Sequence, residues 1–404
     1  MSDASTLSPE PALAHRPDRA LRVQAGARLR IALLAEAAGG GVAVHLADLI
    51  RGFAARGVDV HLIVPNGRRF DTAILDARVI ALCASFHALE MHRGVGWRDA
   101  FSFAQVLRSL RRIRPDIIHS HSSKAGALGR LCRGPWQHVY TPHAVYTLNP
   151  YLPALQRGLY GTIEALLGRF CSNRIIAVSE HEALHLRRVL RVPHRKIATI
   201  PNGVRASPLL SRDVTRRALG VRNDAIVVGF VGRLDFQKGV DRLTRAARQL
   251  EHRFADRLQI VVIGPGDFAA AAGIANGDVP RNMRVTGPLV DARRYFSAFD
   301  ILALPSRYEG FPYVCLEAIA AGVPIAATRV AGAAELIEAQ GVGLVVPNDD
   351  DTREFEEALA TLASDAALRR QMRANCQPAY ERFRVEAMVD KTIEVYRQLL
   401  ERNP

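Results

Sequence analysis

The sequence predicts an α/β protein with two domains, each built around an open sheet of mostly parallel strands. Short apolar runs alternate with amphipathic helical stretches from Leu29 onward, and the alternation restarts after Pro201-Asn202-Gly203. Such alternation is typical of parallel sheets with crossover helices. A chain of 404 residues is also too long for one ordinary core, and it suggests two domains of roughly 150–200 residues each.

We predict four segments: a disordered leader over 1–27, a first Rossmann-like domain over 28–205, a second over 206–384, and a terminal helical segment over 385–404. The leader carries Pro, Ser, Asp and Arg without the apolar stretch of a signal peptide. The last helix, Val385–Glu401, follows a predicted break at Gln377-Pro378. In a two-lobed protein this helix can return across the cleft to the first domain.

The predicted strands follow the apolar runs. In the first domain they cover residues 29–35, 58–64, 78–82, 116–119, 138–141, 174–178 and 197–200. In the second they cover residues 225–231, 258–263, 284–286, 301–304, 324–327 and 344–346. The first run is followed by Gly39-Gly40-Gly41 and a predicted helix over 42–56.

The charge and composition of the chain limit the functions that it can have. The net charge of +14 predicts attraction to something anionic: nucleic acid, phosphorylated substrates or an acidic membrane surface. No run reaches the roughly 18 uncharged apolar residues of a membrane span, so we expect a cytoplasmic protein. The cysteines form no Cys-x-x-Cys pair and are expected to be small buried residues: Cys83, Cys132, Cys171, Cys315 and Cys376.

The most specific pattern lies in the loop after the predicted strand 301–304. Pro312 suits the first turn of the next helix, whose free backbone N–H groups and positive dipole end can hold a diphosphate. Glu309 precedes this helix and Glu317 lies inside it. Two carboxylates so arranged can bind separate hydroxyl groups of one ligand. The loop falls at the carboxyl end of a strand, where open α/β sheets bind ligands.

A second loop, after the strand 225–231, carries two cations. Arg233 and Lys238 are five residues apart on a strand-to-helix connection. The planar guanidinium and the compact ammonium can converge on one pyrophosphate. Together they would offset the negative charge that grows on a departing nucleoside diphosphate.

The first half carries weaker patterns. Gly39-Gly40-Gly41 allows close approach of a backbone at a helix start. His119 and His121 have the spacing of a metal pair, but the sequence offers no third ligand beside them, and we predict no metal site. Asp349-Asp350-Asp351 is interpreted as the start of a helix and not as a cation site.

Taken in order, these motifs resemble the donor site of retaining glycosyltransferase family 4. Gly232-Arg233 and Lys238-Gly239 are followed by the Glu309 and Glu317 pair. The similarity extends over nearly the whole chain after the leader and includes the short strings at 177–179, 200–204, 263–266 and 285–287. The resemblance implies the GT-B fold, in which two Rossmann-like domains face each other across a cleft.

The resemblance also implies a role for each matching residue. Arg233 and Lys238 would hold the diphosphate and assist its departure, and Glu309 would face the donor sugar. His143 would lie beside the anomeric carbon. Glu317 would bind the ribose diol. The remaining donor-binding residues are expected at Gly40, Gly41, Gly264, Thr286, Gly287, Gly310 and Phe311. Family members often have Gly where this chain has Pro312, which removes one backbone donor.

The strings at 119–126 and 140–144 resemble bacterial members that build surface polysaccharides. They imply transfer from a nucleotide sugar, with a UDP-sugar favoured over GDP-mannose, to a lipid-linked or saccharide acceptor in polysaccharide or lipopolysaccharide synthesis. No metal cofactor is implied. Two basic amphipathic segments are candidates for peripheral contact with an anionic membrane, although ordinary helix surfaces explain them as well: Arg108, Arg111, Arg112 and Arg114, and Arg187, Arg188 and Arg191.

Three other classes of protein match part of these sequence features. A GT-B-shaped sugar-nucleotide epimerase would share the donor site and would need no acceptor. A dehydrogenase would carry Gly-x-Gly-x-x-Gly after a first strand, with an acidic residue about 20 residues on; neither 39–41 nor 264–267 supplies it. A nucleic-acid-binding protein would explain the charge but leaves the paired glutamates without a role, so we expect no nucleic-acid partner.

Overall fold

The computed structural model describes residues 28–67, 70–91 and 96–401. Over these residues the chain forms two open parallel sheets, each flanked by helices. The predicted α/β class with two parallel sheets is confirmed. The predicted leader over 1–27 lies outside the described residues.

The first sheet has seven strands in the order β3-β2-β1-β4-β5-β6-β7. Residues 31–35 of β1 are fully buried, as expected for an interior strand covered on both faces. We call this sheet and the helices that cover it the first lobe. Its strands are β1 (Arg30–Ala35), β2 (Asp59–Pro65), β3 (Ser85–Leu89), β4 (Ile117–His121), β5 (Gln137–Thr141), β6 (Arg174–Ala177) and β7 (Ile197–Thr199).

The second sheet has six strands in the order β10-β9-β8-β11-β12-β13, and with its helices it forms the second lobe. Every strand pair in both sheets is parallel. Its strands are β8 (Ile226–Val231), β9 (Leu258–Ile263), β10 (Met283–Gly287), β11 (Ile301–Leu304), β12 (Ile325–Thr328) and β13 (Gly343–Val346).

The α-helices of the described residues fill the connections between strands and end the chain. They lie at Gly40–Ala54, Ala77–Ile80, Arg98–Ile113, Ser123–Leu131, Ala154–Phe170, Glu180–Arg188, Arg212–Leu219, Val240–Phe254, Phe268–Ala272, Tyr313–Ala320, Arg353–Ser364, Ala366–Arg382 and Val385–Glu401.

One predicted strand is wrong. Residues 78–82 begin within a short helix, Ala77–Ile80, and the third strand of the first sheet is Ser85–Leu89. The Asp76 side chain caps this helix by accepting a hydrogen bond from the backbone N–H of Val79 at 2.9 Å. A capped helix start therefore overrides the β propensity of the apolar residues that follow.

The predicted break at Gln377-Pro378 is also wrong. The helix Ala366–Arg382 continues through Pro378, and its neighbours Cys376 and Ala379 are buried in the core of the second lobe. The chain turns instead at Phe383, whose carbonyl accepts a hydrogen bond from the Val204 N–H at 2.8 Å. Packing on both sides of the proline keeps the helix intact despite its missing N–H.

The last helix, Val385–Glu401, packs against the first lobe. Met388, Ile393 and Tyr396 are buried in the core that also contains β1 and the helix Gly40–Ala54. Gly52 permits this contact, since an added Cβ would lie 2.5 Å from Val389 Cγ2. The described residues thus run from the first lobe into the second and return to the first.

Candidate active site

Both sheets have a topological switch point, where the strand order reverses. In the first sheet the point lies between β1 and β4, and in the second between β8 and β11. Crevices outside the carboxyl ends of such strands are the usual ligand sites of open α/β sheets. The predicted segments 39–41, 232–239 and 305–312 follow β1, β8 and β11, and residues 119–121 are the last three residues of β4. The sequence motifs therefore gather at the two positions where the fold favours binding.

Lys238 and Glu309 form an ion pair at the switch point of the second sheet. The Lys238 Nζ lies 2.6 Å from Glu309 Oε1, and their side chains are 18% and 9% exposed. The Ser306 hydroxyl donates to the same carboxylate oxygen at 2.8 Å. Asp235 fixes the turn, because its side chain accepts from the Lys238 backbone N–H at 3.0 Å. Two predicted catalytic residues thus meet in a shielded position, where a charge pair is strong.

Arg233 belongs to the same loop but is more open to solvent. Its guanidinium lies 3.0 Å from Asp235 Oδ2 and donates to Gln237 Oε1 at 3.2 Å, and its side chain is 61% exposed. The structure therefore places Arg233 at the entrance and Lys238 inside the site.

The loops after β8 and β9 approach each other through glycine. Gly264 has a φ of +152°, and an added Cβ would lie 1.8 Å from the Gly232 carbonyl oxygen. The Gly264 N–H donates to the Gly287 carbonyl at 3.0 Å, and the Thr286 hydroxyl donates to the Val262 carbonyl at 3.3 Å. The predicted residues Gly264, Thr286 and Gly287 therefore form one continuous backbone surface.

His143 reaches the second lobe through a strained segment. His143 and Ala144 have φ values of 57° and 81°, which non-glycine residues rarely adopt. An added Cβ on Gly310 would lie 2.8 Å from the Ala144 nitrogen. The segment that carries His143 thus lies directly against the loop of Glu309 and Gly310.

A buried carboxyl group, Glu182, holds this strained segment. Its Oε1 accepts from the backbone N–H groups of Ala144 at 3.0 Å and Val145 at 2.8 Å, and its Oε2 accepts from Val178 at 2.8 Å. Glu182 is fully buried, and burial raises its pKa to about 7 despite these three donors. The clamp joins the ends of β5 and β6.

Four histidines lie together at the carboxyl ends of β1, β4 and β5. His121 Nδ1 and His143 Nε2 are 3.0 Å apart, and His45 stacks edge-on to His143 at 4.6 Å between ring centroids. Burial holds the pKa of each ring in this group below its usual range, to about 4 for His45. His119 forms hydrogen bonds through Nδ1 to the Tyr396 hydroxyl at 2.6 Å and through Nε2 to the Thr141 hydroxyl at 2.7 Å.

Three of these histidines could hold one metal ion. One ring nitrogen from each of His45, His121 and His143 lies within 4.8 Å of the others. The sequence analysis found no third ligand beside His119 and His121, and the fold supplies His45 and His143. His45 Nδ1 is 3.0 Å from the Tyr313 hydroxyl, so this cluster also joins the two lobes.

Glu317 is half-buried in the helix Tyr313–Ala320. Burial raises its pKa to about 7, Arg293 opposes this shift, and the carboxylates of Asp291 and Asp48 add to it. The raised pKa marks a carboxyl group without a strong cationic partner, as expected where a ligand supplies the hydrogen bonds.

The remaining predicted donor residues differ in their surroundings. Gly40 and Gly41 are exposed at the start of the helix Gly40–Ala54, and an added Cβ on Gly41 would lie 3.1 Å from the Tyr313 ring. The Phe311 side chain is buried in the second lobe's core, and its carbonyl accepts from Asn202 Nδ2 at 3.1 Å. Pro312 stands just before the helix, which begins at Tyr313.

The acidic run 349–351 serves structural pairing. Asp350 accepts from Arg242 and Arg307, each at about 3.1 Å or less. Asp351 pairs with Arg353, the first residue of the next helix. The expected helix-start role thus applies to Asp351, whereas Asp350 joins two buried guanidinium groups.

Sequence reasoning missed several residues of the site: His45, Glu182, Asn202, Ser306 and Tyr313. Ser306 and Tyr313 stand within the motif that was singled out, where a hydroxyl near paired charges is a usable signal. His45, Glu182 and Asn202 act through contacts over long sequence distances, which no local pattern reveals.

The sequence is similar to known glycosyltransferases over both lobes. A profile described as Glycosyltransferase Family 4 matches residues 39–207, and one described as Glycosyl transferases group 1 matches 225–365. The D-inositol 3-phosphate glycosyltransferase of Kribbella flavida is 30% identical over 329 residues, which are 74% of this chain and 76% of that protein. The chain belongs to glycosyltransferase family 4. The prediction of a transferase enzyme is confirmed.

Two further comparisons support the family 4 assignment and the fold. The UDP-Gal:alpha-D-GlcNAc-diphosphoundecaprenol alpha-1,3-galactosyltransferase of Escherichia coli is 26% identical over 314 residues, 74% of this chain and 79% of that protein. The sucrose-phosphate synthase of Thermosynechococcus elongatus superposes with a TM-score of 0.77 at 21% identity, covering 93% and 100% of the two chains. The GT-B fold is confirmed. Among the described residues of this family 4 glycosyltransferase, no helix has the length and apolar character to cross a bilayer.

Replacing Glu182 by Gln should destabilise the protein by about 1–3 kcal/mol, because the new amide group would face backbone N–H groups that need an acceptor. Amide hydrogen exchange at Ala144 and Val145 should accelerate. Urea unfolding and exchange measured by mass spectrometry test both effects, with the exposed Glu180→Gln as the matched control. Unchanged exchange at these two residues would contradict the clamp.

Proposed function

We propose that this glycosyltransferase moves a sugar from a nucleotide donor to an acceptor hydroxyl with retention of anomeric configuration. The observation that carries the proposal is the shielded Lys238–Glu309 pair at the switch point of the second sheet, with His143 of the first lobe close by. A preformed cation and anion at a cleft suit a ligand that has a diphosphate next to a polyhydroxyl ring.

The diphosphate would bind at Lys238, with Arg233 closing over it from the entrance. The helix Tyr313–Ala320 begins beside this position without a side-chain cap, so its first N–H groups and dipole favour an anion. Binding would exchange the carboxylate partner of Lys238 for phosphate oxygens. Glu309 would then be released to accept hydrogen bonds from sugar hydroxyls.

The nucleoside would extend along the loops that follow β9 and β10. Gly264, Thr286 and Gly287 offer a backbone surface for the base, and Glu317 offers a carboxylate for the ribose diol. Gly40 and Gly41 allow the first lobe to approach the donor from the opposite side. The half-buried position of the Glu317 carboxyl group supports a role in binding hydroxyl groups.

The transfer step would be dissociative and on one face of the sugar. The bond from the anomeric carbon to the diphosphate oxygen breaks, the acceptor oxygen forms a new bond to that carbon, and the departing phosphate takes the acceptor's proton. Lys238 and Arg233 stabilise the charge that develops on the phosphate. No carboxylate nucleophile is required by this route.

We infer that the reaction needs no metal cofactor. The cations Lys238 and Arg233 already supply positive charge to the diphosphate. In the histidine cluster, His121 Nδ1 and His143 Nε2 form a hydrogen bond at 3.0 Å, and His45 Nδ1 forms one with the Tyr313 hydroxyl. A metal ion would have to displace the His121–His143 contact. We therefore propose that the neutral imidazoles donate hydrogen bonds to the sugar or phosphate.

For the substrates, we propose a UDP-sugar donor and a lipid-linked saccharide acceptor in surface-polysaccharide synthesis. The name of the Escherichia coli relative includes both UDP-Gal and a diphosphoundecaprenol-linked sugar, which supports this choice. The relatives from Kribbella flavida and Kineococcus radiotolerans are named D-inositol 3-phosphate glycosyltransferases, so a phosphorylated soluble acceptor is the alternative to test in the same assay.

Lys238→Ala should lower turnover by at least about a hundredfold, the scale of losing a preorganised charge partner of the leaving group. The assay follows release of nucleoside diphosphate from a panel of nucleotide sugars, with and without acceptor. Lys391→Ala, an exposed lysine on the last helix, is the matched control and should keep full activity. A near-normal rate for Lys238→Ala would contradict its role.

Donor affinity should depend on pH through Glu317. Burial holds its pKa at about 7 in the free protein, while ribose hydroxyls favour the charged form. Protonation therefore competes with the donor, and affinity should fall by up to about tenfold per pH unit below about pH 7 and stay level above it. Calorimetric titration with UDP-glucose tests this expectation.

The matched control for the pH profile is Glu317→Gln, which cannot ionise. This variant should bind the nucleotide sugar more weakly at pH 8 and should lack the component of the pH profile centred near the Glu317 pKa. An identical pH profile in both proteins would show that Glu317 does not contact the donor.

A further inference from the structure

The helix Ala154–Phe170 exposes an apolar stripe along its length. The stripe residues are spaced by four, four, three and four positions, which places them on one face of a helix. Their exposed fractions are 87%, 59%, 39%, 52% and 64% for Leu155, Leu159, Ile163, Leu166 and Phe170. The opposite face is anchored in the first lobe by Glu164, Leu167 and Gly168, which are buried.

This degree of exposure is unusual for several large apolar side chains on one face of a helix. All residues from 154 to 159 are exposed, so the first part of the helix projects from the lobe. A contiguous apolar face of this kind marks a docking surface and not a random scatter of surface residues. The stripe spans about 22 Å at a rise of about 1.5 Å per residue.

The charges around the stripe favour an anionic partner. The helix contains one acid, Glu164, which is buried and paired with Arg130 at 2.8 Å, so no negative charge borders the stripe from this helix. Arg169 is exposed beside the stripe, whereas Arg157 lies on the opposite face of the helix, where its guanidinium donates to backbone carbonyls of the segment before the helix. Lys196 donates to the Arg169 carbonyl at 2.6 Å and adds a cation at the carboxyl end.

The segment before the helix connects the stripe to the cleft. The rings of Tyr146 and Tyr160 are 5.1 Å apart, which ties this segment to the helix. The Tyr151 ring is 5.0 Å from the Phe236 ring, which lies between Arg233 and Lys238 in the donor loop. The amino end of the stripe therefore lies next to the proposed diphosphate site.

We propose that the stripe docks into the surface of an anionic lipid bilayer, with its apolar side chains among the acyl chains and its cations at the headgroups. A helix with an apolar face and bordering Arg and Lys lies in the interface plane and does not span the bilayer. This arrangement places the mouth of the cleft at headgroup height. The membrane proposal rests on the proposed function in one respect only: a lipid-linked acceptor in the bilayer would lie close to the bound donor.

Vesicle binding tests the proposal directly. The full chain should sediment with vesicles of phosphatidylcholine and phosphatidylglycerol, bind phosphatidylcholine alone more weakly, and dissociate progressively as salt rises. Leu159→Gln combined with Leu166→Gln should lower the partition coefficient by at least about tenfold, since two apolar anchors are lost. Both positions are exposed, so the variant should fold.

The matched control replaces two exposed aliphatic side chains of the second lobe by Gln, as Leu209→Gln with Val214→Gln. These side chains are 41% and 46% exposed, and their loss should leave vesicle binding unchanged. Thermal stabilisation by UDP should be the same in all three proteins. Loss of vesicle binding with intact UDP stabilisation separates this proposal from the proposed transferase site.

Three outcomes would overturn the lipid assignment. The wild-type chain could remain in the supernatant with anionic vesicles, or the stripe variant could bind them as the wild type does. Analytical ultracentrifugation could instead show a dimer that the stripe variant abolishes, with no vesicle binding, and the stripe would then be an interface between copies.

Discussion

The ion pair between Lys238 and Glu309 is the interaction on which the proposed site depends. A lysine and a glutamate held 2.6 Å apart with little exposure need a local structure that keeps both in place. Asp235 fixes the lysine's turn and Ser306 holds the carboxylate. A bound sugar diphosphate would separate the two charges of this pair. The Glu182 carboxyl group and Gly310 bring the first lobe to this pair.

The first lobe approaches the pair at the cost of strained backbone. Positive φ values at His143 and Ala144 persist because the Glu182 carboxyl group accepts hydrogen bonds from the adjoining N–H groups. Gly310 gives the space for this approach. The returning helix contributes as well, since Tyr396 bonds to His119 beneath the histidine cluster. The two lobes are thus in contact at the proposed site, and hydrogen bonds to Glu182 stabilise the strained backbone there.

Much of this arrangement could be predicted from the sequence. Buried parallel strands are continuous apolar runs, so β9 and β11 were predicted to the residue, and the loops after β8 and β11 were recognised by paired charges. The errors came where tertiary contacts decide: the cap at Asp76 turned an apolar run into a helix, and packing kept the helix at Pro378 unbroken. The carboxyl of Glu182 and the ring of His45 could not be assigned, because their partners are distant in sequence. The exposure of the stripe could not be predicted either, since an apolar residue in a helical pattern is normally expected to face a core.

The most direct test of the central claim is a crystal structure of the full chain with UDP bound. The account predicts diphosphate oxygens within about 3.2 Å of Lys238 Nζ, the Arg233 guanidinium turned from Asp235 toward the phosphates, and the Glu309 carboxylate no longer in contact with Lys238. A diphosphate bound elsewhere, with the Lys238–Glu309 pair intact, would contradict it.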